Sequence, residues 1–286
     1  VTKHLEKLIK QLEVEAIDSY LFIGDSPRFP PRIFGGQVLA QALNAASRTV
    51  SEDRIAHSMH AYFLRPGDPS KRIVYEVDPI RDGNSFTTRR VVAKQEGKAI
   101  FNTSISFQGL EEGLEHQATA PTVPQPEDLE TDAEYWERKA RENPEAVHPA
   151  MLSHPIERRT IDPRDEDNPQ PKEAVQHFWF RVPGNIGDDP VRHQTLLAYI
   201  SDFGLLDASL LPHPYTPSSQ ELQVASLDHA IWFHQAVRVD EYLLYTMDSP
   251  SASGGRGMNR GSFYNREGVL IASTAQESLI RVRKPS

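Results

Sequence analysis

The chain predicts an α+β fold built twice, and three observations carry that prediction. Two runs with helical composition, 35–46 and 190–203, each stand ahead of a series of short alternating apolar runs. Prolines and acidic residues crowd into 110–171, between the two series. Motifs of the first half also recur in the second: His60-Ala61-x-Phe63 against His229-Ala230-x-Trp232, Tyr75 against Tyr245, and Glu96-Gly97 against Glu267-Gly268. Counting back from those last turns pairs Gly83 with Gly254 and Arg89 with Arg260. A duplicated unit of one helix and one antiparallel meander explains all three, with each sheet wrapped around its own helix. Pairing the two sheets edge to edge would remove one exposed edge from each.

Taken in order, Leu5, Leu8, Ile9, Leu12 and Val14 share a helical face, so an opening helix is expected over 3–14. Gly35-Gly36 introduces Gln37 to Ala46, a run whose small residues suit close burial against a sheet. Strands are expected over 57–64, 72–80, 85–94 and 99–107, with turns at Asp82-Gly83-Asn84 and Gln95-Glu96-Gly97-Lys98. The segment that follows reads as linker, with a short helix at 132–141. The second half then offers a strand at 175–182, the helix at 190–203, and strands at 223–233, 242–247, 257–265 and 269–282. The division that results is an N-terminal unit over 1–109, a proline-rich acidic linker over 110–172 and a C-terminal unit over 173–286.

Composition narrows the chemistry. A formal net charge of −9 argues against bulk binding to nucleic acid or an anionic membrane. No apolar run has the length of a membrane span, which predicts no membrane insertion. The chain holds no cysteine, which removes thiolate nucleophiles, thiolate metal sites and disulfides, and a cytoplasmic location is the default expectation.

The stretch ASLDHAIWFH, residues 225–234, collects the residue types of a hydrolase triad. Strand alternation predicts that His229 points away from both Ser226 and Asp228, which breaks the triad. There is no G-x-S-x-G elbow, and Ser251-Ala252-Ser253-Gly254 lies in a turn between strands. His57 and His60 fall on opposite faces of a strand and H-E-x-x-H is absent, so no metal site is expected. The glycine-rich stretch 254–261 lacks the third glycine of a phosphate loop. It reads equally as a bulged turn or as a place where Arg256 or Arg260 meets ligand phosphates. Asp202 stands near the end of an apolar helix, where a buried carboxylate needs partners. Gln276 lies in the polar run 273–278 of the last strand, where the first half has Ile105.

These features come with a resemblance. Phe34-Gly35-Gly36-Gln37, HSMHAYFLRPGD at 57–68, RDGNSF at 81–86, LDHAIWFH at 227–234 and ASTAQE at 272–277 are similar to the acyl-CoA thioesterase II family, whose proteins hold two hotdog folds in one chain. The similarity spans nearly the whole chain and is weakest in the proline-rich segment. It implies two tandem hotdog folds and hydrolysis of medium- to long-chain fatty acyl-CoA to free fatty acid and coenzyme A. It also implies no metal or organic cofactor, and association into homo-oligomers (dimers or tetramers of double hotdogs). The family's catalytic Asp, Thr or Ser, and Gln map onto Asp202, Ser226 and Gln276. Asp202 would activate a water that Ser226 and Gln276 hold. Backbone N–H groups at Gly35-Gly36 would receive the oxyanion, although the same glycines would serve close helix packing. Two rival readings are a dehydratase or hydratase of acyl thioesters, which typically pairs a histidine with an acid, and a non-catalytic acyl-CoA binding protein.

Overall fold

A computed structural model describes residues 3–27, 32–142 and 154–283; Pro144 and Pro149 of the expected linker lie outside the described residues. In chain order the elements are α1 (Lys3–Leu12), β1 (Glu15–Asp18), β2 (Leu21–Gly24), α2 (Gly35–Ser47), β3 (Ile55–Phe63), β4 (Ile73–Asp82), β5 (Phe86–Gln95) and β6 (Lys98–Gln108). They continue with α3 (Asp132–Glu142), β7 (Glu157–Ile161), β8 (Val175–Arg181), α4 (Pro190–Ile200), β9 (Leu222–Ser226), β10 (Asp228–Phe233), β11 (Leu243–Ser253), β12 (Arg256–Tyr264) and β13 (Leu270–Val282). Among the described residues no helix is long and apolar enough to cross a membrane.

The strands form one antiparallel sheet in the order β1-β2-β4-β5-β6-β3-β10-β13-β12-β11-β8-β7, with β9 added onto β13. The two halves join where β3 pairs β10, with His60 opposite Ala230 and Ser58 opposite Trp232. The fold is therefore two tandem hotdogs sharing a continuous sheet, and α2 and α4 pack against each other and against its strands. From Gly36 to Ala46 every residue of α2 is buried, which its alanines permit because nothing on them holds the sheet away. Its polar residues are satisfied: Tyr75 Oη donates to Gln41 Oε1 at 2.6 Å, and Val14 N donates to Asn44 Oδ1 at 3.1 Å.

Four expectations need correction. The opening helix stops at Leu12, and a short hairpin, β1–β2, follows it; β1 is fully exposed and too short to alternate visibly. Within the expected linker, Glu157–Ile161 is an edge strand on β8, its charged sequence suiting an outer edge. The helix of the second half ends at Ile200, so Asp202 lies in the turn beyond it. The strand expected over 223–233 is two strands broken at Leu227.

That break decides the site. Ser226 faces Ser278 on β13, whereas Ala230 faces Ala275. Four residue steps on one strand thus match three on the other, which is a bulge of one residue. The extra residue turns Ser226 and His229 to the same, inner face, against the alternation expected from sequence.

The halves also correspond differently from the sequence count. Met59 faces Ile105, which faces Arg89. In the second half Gln276 faces Asn259, and the register places His229 beside Gln276. Met59, Ile105, Arg89, His229, Gln276 and Asn259 are all buried, while His60 and Arg260 are exposed. His229 therefore corresponds to Met59, and Asn259 to Arg89; the pairings of His60 with His229 and Arg89 with Arg260 are each one residue out of phase.

Candidate active site

The three residues singled out as a catalytic set come together at the boundary of the halves. Asp202 follows the C-cap of α4, Ser201. Its Oδ2 accepts from the N–H of Gly36 in the first turn of α2, at 2.9 Å. No side chain caps α2 at Phe34, so a carboxylate from the other half fills one of the empty places at this helix terminus. Ser226, at the end of β9, and Gln276, on β13, lie close enough to the same carboxylate to lower its pKa. Gln276 Nε2 also donates to Ser226 Oγ at 3.0 Å and to Ser278 Oγ at 3.2 Å.

The glycine pair makes this approach possible. A Cβ on Gly36 would stand 2.3 Å from the Tyr199 carbonyl oxygen and 2.5 Å from the Phe34 ring. One on Gly35 would stand 2.7 Å from Asp202 Oδ2. The close packing is helix against helix, where the sequence suggested helix against sheet. Phe34, Tyr199 and Phe203 pack edge-on and tilted against one another beside the glycine pair, with ring centroids 4.9–5.3 Å apart.

Burial dominates the electrostatics of Asp202 and pushes its pKa up to about 7, with Asp207 nearby adding to the rise. The N–H of Gly36, the hydroxyl of Ser226 and the amide of Gln276 pull the other way. The residue as a whole is only partly buried. An acid with this balance is ionised about half the time near neutrality, which suits proton transfer in either direction.

Behind these residues lies a group that strand alternation excluded. His229 is 1% exposed, with Nδ1 2.7 Å from Gln276 Oε1 and Nε2 2.9 Å from Ser201 Oγ. Desolvation moves its pKa down to about 4, so it is neutral. The only sign available in the sequence was the polar run 273–278 itself, since a buried glutamine amide needs partners. Asp228, on the opposite face, accepts from the N–H of Glu277 at 2.6 Å.

Arg256 and Arg260 are not brought to this cluster. Both project from the outer face of β12, Arg256 paired with Glu277 and Arg260 with Asp248. The stretch 254–261 is a tight turn and a strand, with Gly254 and Gly255 at positive φ. His57 meets Ser106, and His60 meets the edge of Trp232.

With this geometry established, the chain can be set beside known proteins. Residues 25–108 match the family described as acyl-CoA thioesterase N-terminal domain, and residues 152–279 the family described as acyl-CoA thioesterase. Acyl-CoA thioesterase 2 of Haemophilus influenzae is 40% identical over 97% of this chain and 98% of its own length. Acyl-coenzyme A thioesterase 8 of Homo sapiens is also 40% identical, over 95% of this chain and 88% of its own. Among solved structures, an acyl-CoA thioesterase II, TesB2, from Mycobacterium marinum superposes with a TM-score of 0.80 at 39% identity, covering 98% of this chain and 99% of that one. By sequence over almost its full length and by its double hotdog architecture, this chain belongs to the acyl-CoA thioesterase family of thioester hydrolases.

Proposed function

We propose that this protein hydrolyses medium- to long-chain fatty acyl-CoA to a free fatty acid and coenzyme A, with Asp202 as general base and Ser226 and Gln276 holding the attacking water. The observation that carries the reading is Asp202 itself: a carboxyl near pKa 7 at the start of α2, bonded to Gly36 N–H and lowered in pKa by the neighbouring Ser226 hydroxyl and Gln276 amide. In the first step water oxygen bonds to the thioester carbonyl carbon while its proton passes to Asp202. The carbonyl oxygen becomes an oxyanion at the start of α2. Gly36 N–H is committed to Asp202, so the neighbouring Gly35 N–H is the donor assigned to that oxygen; a donor so placed is worth about 3 kcal/mol in the barrier. Collapse of the intermediate breaks the carbon–sulfur bond. The departing thiolate is a stronger base than the Asp202 carboxylate, a cysteine thiol having a pKa of ~8.5, and it takes back the proton from Asp202.

The dehydratase reading needs a histidine that reaches substrate. His229 lies behind Gln276, with both ring nitrogens engaged and 1% of its surface exposed, which argues against that role. Assembly into a homo-oligomer and a cytoplasmic location belong to the same proposal, and sedimentation and cell fractionation test them.

The test of the activity is release of free thiol from a series of acyl-CoA substrates, palmitoyl-CoA among them, by wild type and Asp202→Asn. Turnover by wild type with a 10²- to 10⁴-fold loss in the variant is expected. No thiol release at any chain length would sink the thioesterase reading, and equal rates would sink the assignment of the base.

A further inference from the structure

The site contains a hydrogen-bond chain whose direction is not fixed by distance alone. Ser201 Oγ carries one hydrogen and has two acceptors in reach, the Ala198 carbonyl at 2.8 Å and His229 Nε2 at 2.9 Å. A neutral imidazole carries one N–H. If Ser201 donates to Ala198, His229 must hold its proton on Nε2 and offer a bare Nδ1 to Gln276. The amide would then turn its NH₂ toward His229 and its oxygen toward Ser226 and Asp202. If Ser201 donates to Nε2 instead, Nδ1–H donates to Gln276 Oε1 across 2.7 Å, and the two N–H bonds of the amide go to Ser226 Oγ and Ser278 Oγ, on the side of the carboxylate. An ionised Asp202 repels an amide oxygen and attracts an amide N–H, so only the second polarity is compatible with the base in its working form.

We propose that His229 is a positioning residue: as the Nδ1–H tautomer, braced at Nε2 by Ser201, it fixes the Gln276 amide with its nitrogen toward Ser226 and Asp202. The inference rests on the assignment of Asp202 as base. Burial of His229 keeps it uncharged through the working range, so it orients without competing for the proton. The first half shows what the fold requires without this task, since Met59 and Ile105 occupy the corresponding places and pack as apolar core. A histidine and a glutamine there are a cost to burial, offset only by pairing.

The experiment compares His229→Asn with His229→Leu. An asparagine Nδ2–H occupies the place of the imidazole Nδ1–H and keeps the donor, whereas leucine removes it and frees the amide to turn. The titratable neighbours of Asp202 that remain in both variants are Asp207, Tyr199 and Tyr245. In wild type, ¹⁵N resonances should show Nδ1 protonated and Nε2 bare, and the ¹³C signal of the Asp202 carboxyl should titrate near pH 7. His229→Leu should move that titration up by about one pH unit and lower kcat about 10- to 100-fold with little change in KM. His229→Asn should keep the wild-type titration and recover most of kcat. A wild-type Nε2–H tautomer overturns the proposal, even if the leucine variant fails to fold. So does an unmoved Asp202 titration in His229→Leu. The two NMR readouts decide the matter without turnover, so an inactive wild type would sink the thioesterase reading separately.

Discussion

Replacing Ser226 with alanine removes one of the three groups that lower the pKa of Asp202, and its consequence can be worked through. Burial and the Asp207 charge raise the pKa, while Gly36, Ser226 and Gln276 lower it, and the balance stands at about 7. A hydrogen bond to a charged group is worth about 1.5–3 kcal/mol. At ~1.4 kcal/mol per tenfold change in acidity, losing it moves the carboxyl to between about 8 and 9. At pH 7 the ionised fraction then falls from about one half to roughly 1–10%. The rate should fall about 5- to 50-fold through protonation alone, beyond any loss in holding the water. The assay is the pH dependence of kcat/KM for thiol release. Wild type should lose activity below pH 7, the variant should lose it below pH 8–9, and the gap between them should narrow at high pH. Ser226→Thr keeps the hydroxyl and should keep the wild-type limb. An acidic limb that stays near 7 in Ser226→Ala, or moves down, would refute the claim that this hydroxyl stabilises the ionised base.

Gly36→Ala should lower the Tm by several degrees and depress activity, because its methyl would collide with a backbone carbonyl on α4 and overpacking costs about 1–3 kcal/mol; an unchanged Tm would count against the helix-on-helix contact. Asp207, like Asp202, is pushed up by burial to about 7 from an ordinary 3.8, so the folded state binds its proton more tightly than the unfolded state. Stability should therefore fall as pH rises from about 4 to about 7, and Asp207→Asn should recover up to about 4 kcal/mol above pH 7 in denaturant titrations; a variant less stable than wild type at pH 8 would reverse that sign. Arg260→Ala removes an exposed ion pair on the outer face and should leave kcat and stability within experimental error, any effect being confined to KM; a large fall in kcat would place the outer face in the chemistry.

Much of this was legible in the sequence because it depends on local period and composition. Both central helices, the meanders and the meeting of Asp202, Ser226 and Gln276 follow from such signals or from the family resemblance. What escaped depends on register. Nothing in ASLDHAIWFH marks Leu227 as the extra residue of a bulge, since the bulge exists only against β13, some fifty positions away. The strict alternation that removed His229 from the site was sound for a regular strand and wrong for this one. Arg89 and Arg260 lie equally far from their glycine–glutamate turns in sequence, but their side chains emerge on opposite sides of the sheet. The hairpin β1–β2 and edge strand β7 escaped for another reason: short exposed strands bury too little to impose a pattern.

Duplication raises the question of why the chain has one such cluster instead of two. The C-caps of α2 and α4 are Arg48 and Ser201, so Thr49 stands where Asp202 does. Thr49 brings no carboxylate; its hydroxyl donates to Ala46 O at 2.8 Å and accepts from Arg89 Nε at 3.0 Å. Arg89, in the place of Asn259, fills the space with a guanidinium that also reaches Asp82. Met59 and Ile105 replace His229 and Gln276. The start of α4 is closed as well, because Asp189 caps its own helix through Val191 N at 2.9 Å, whereas α2 has no such cap and takes Asp202. Each half has therefore kept a different part: the second the carboxyl and its polar support, the first an uncapped helix terminus. The balance near neutrality uses both halves: the second brings the carboxyl, and the first supplies the Gly36 N–H that restrains the rise caused by burial. The edge-to-edge pairing of β3 with β10 and the packing of α2 on α4 are thus part of the chemistry as well as of the fold.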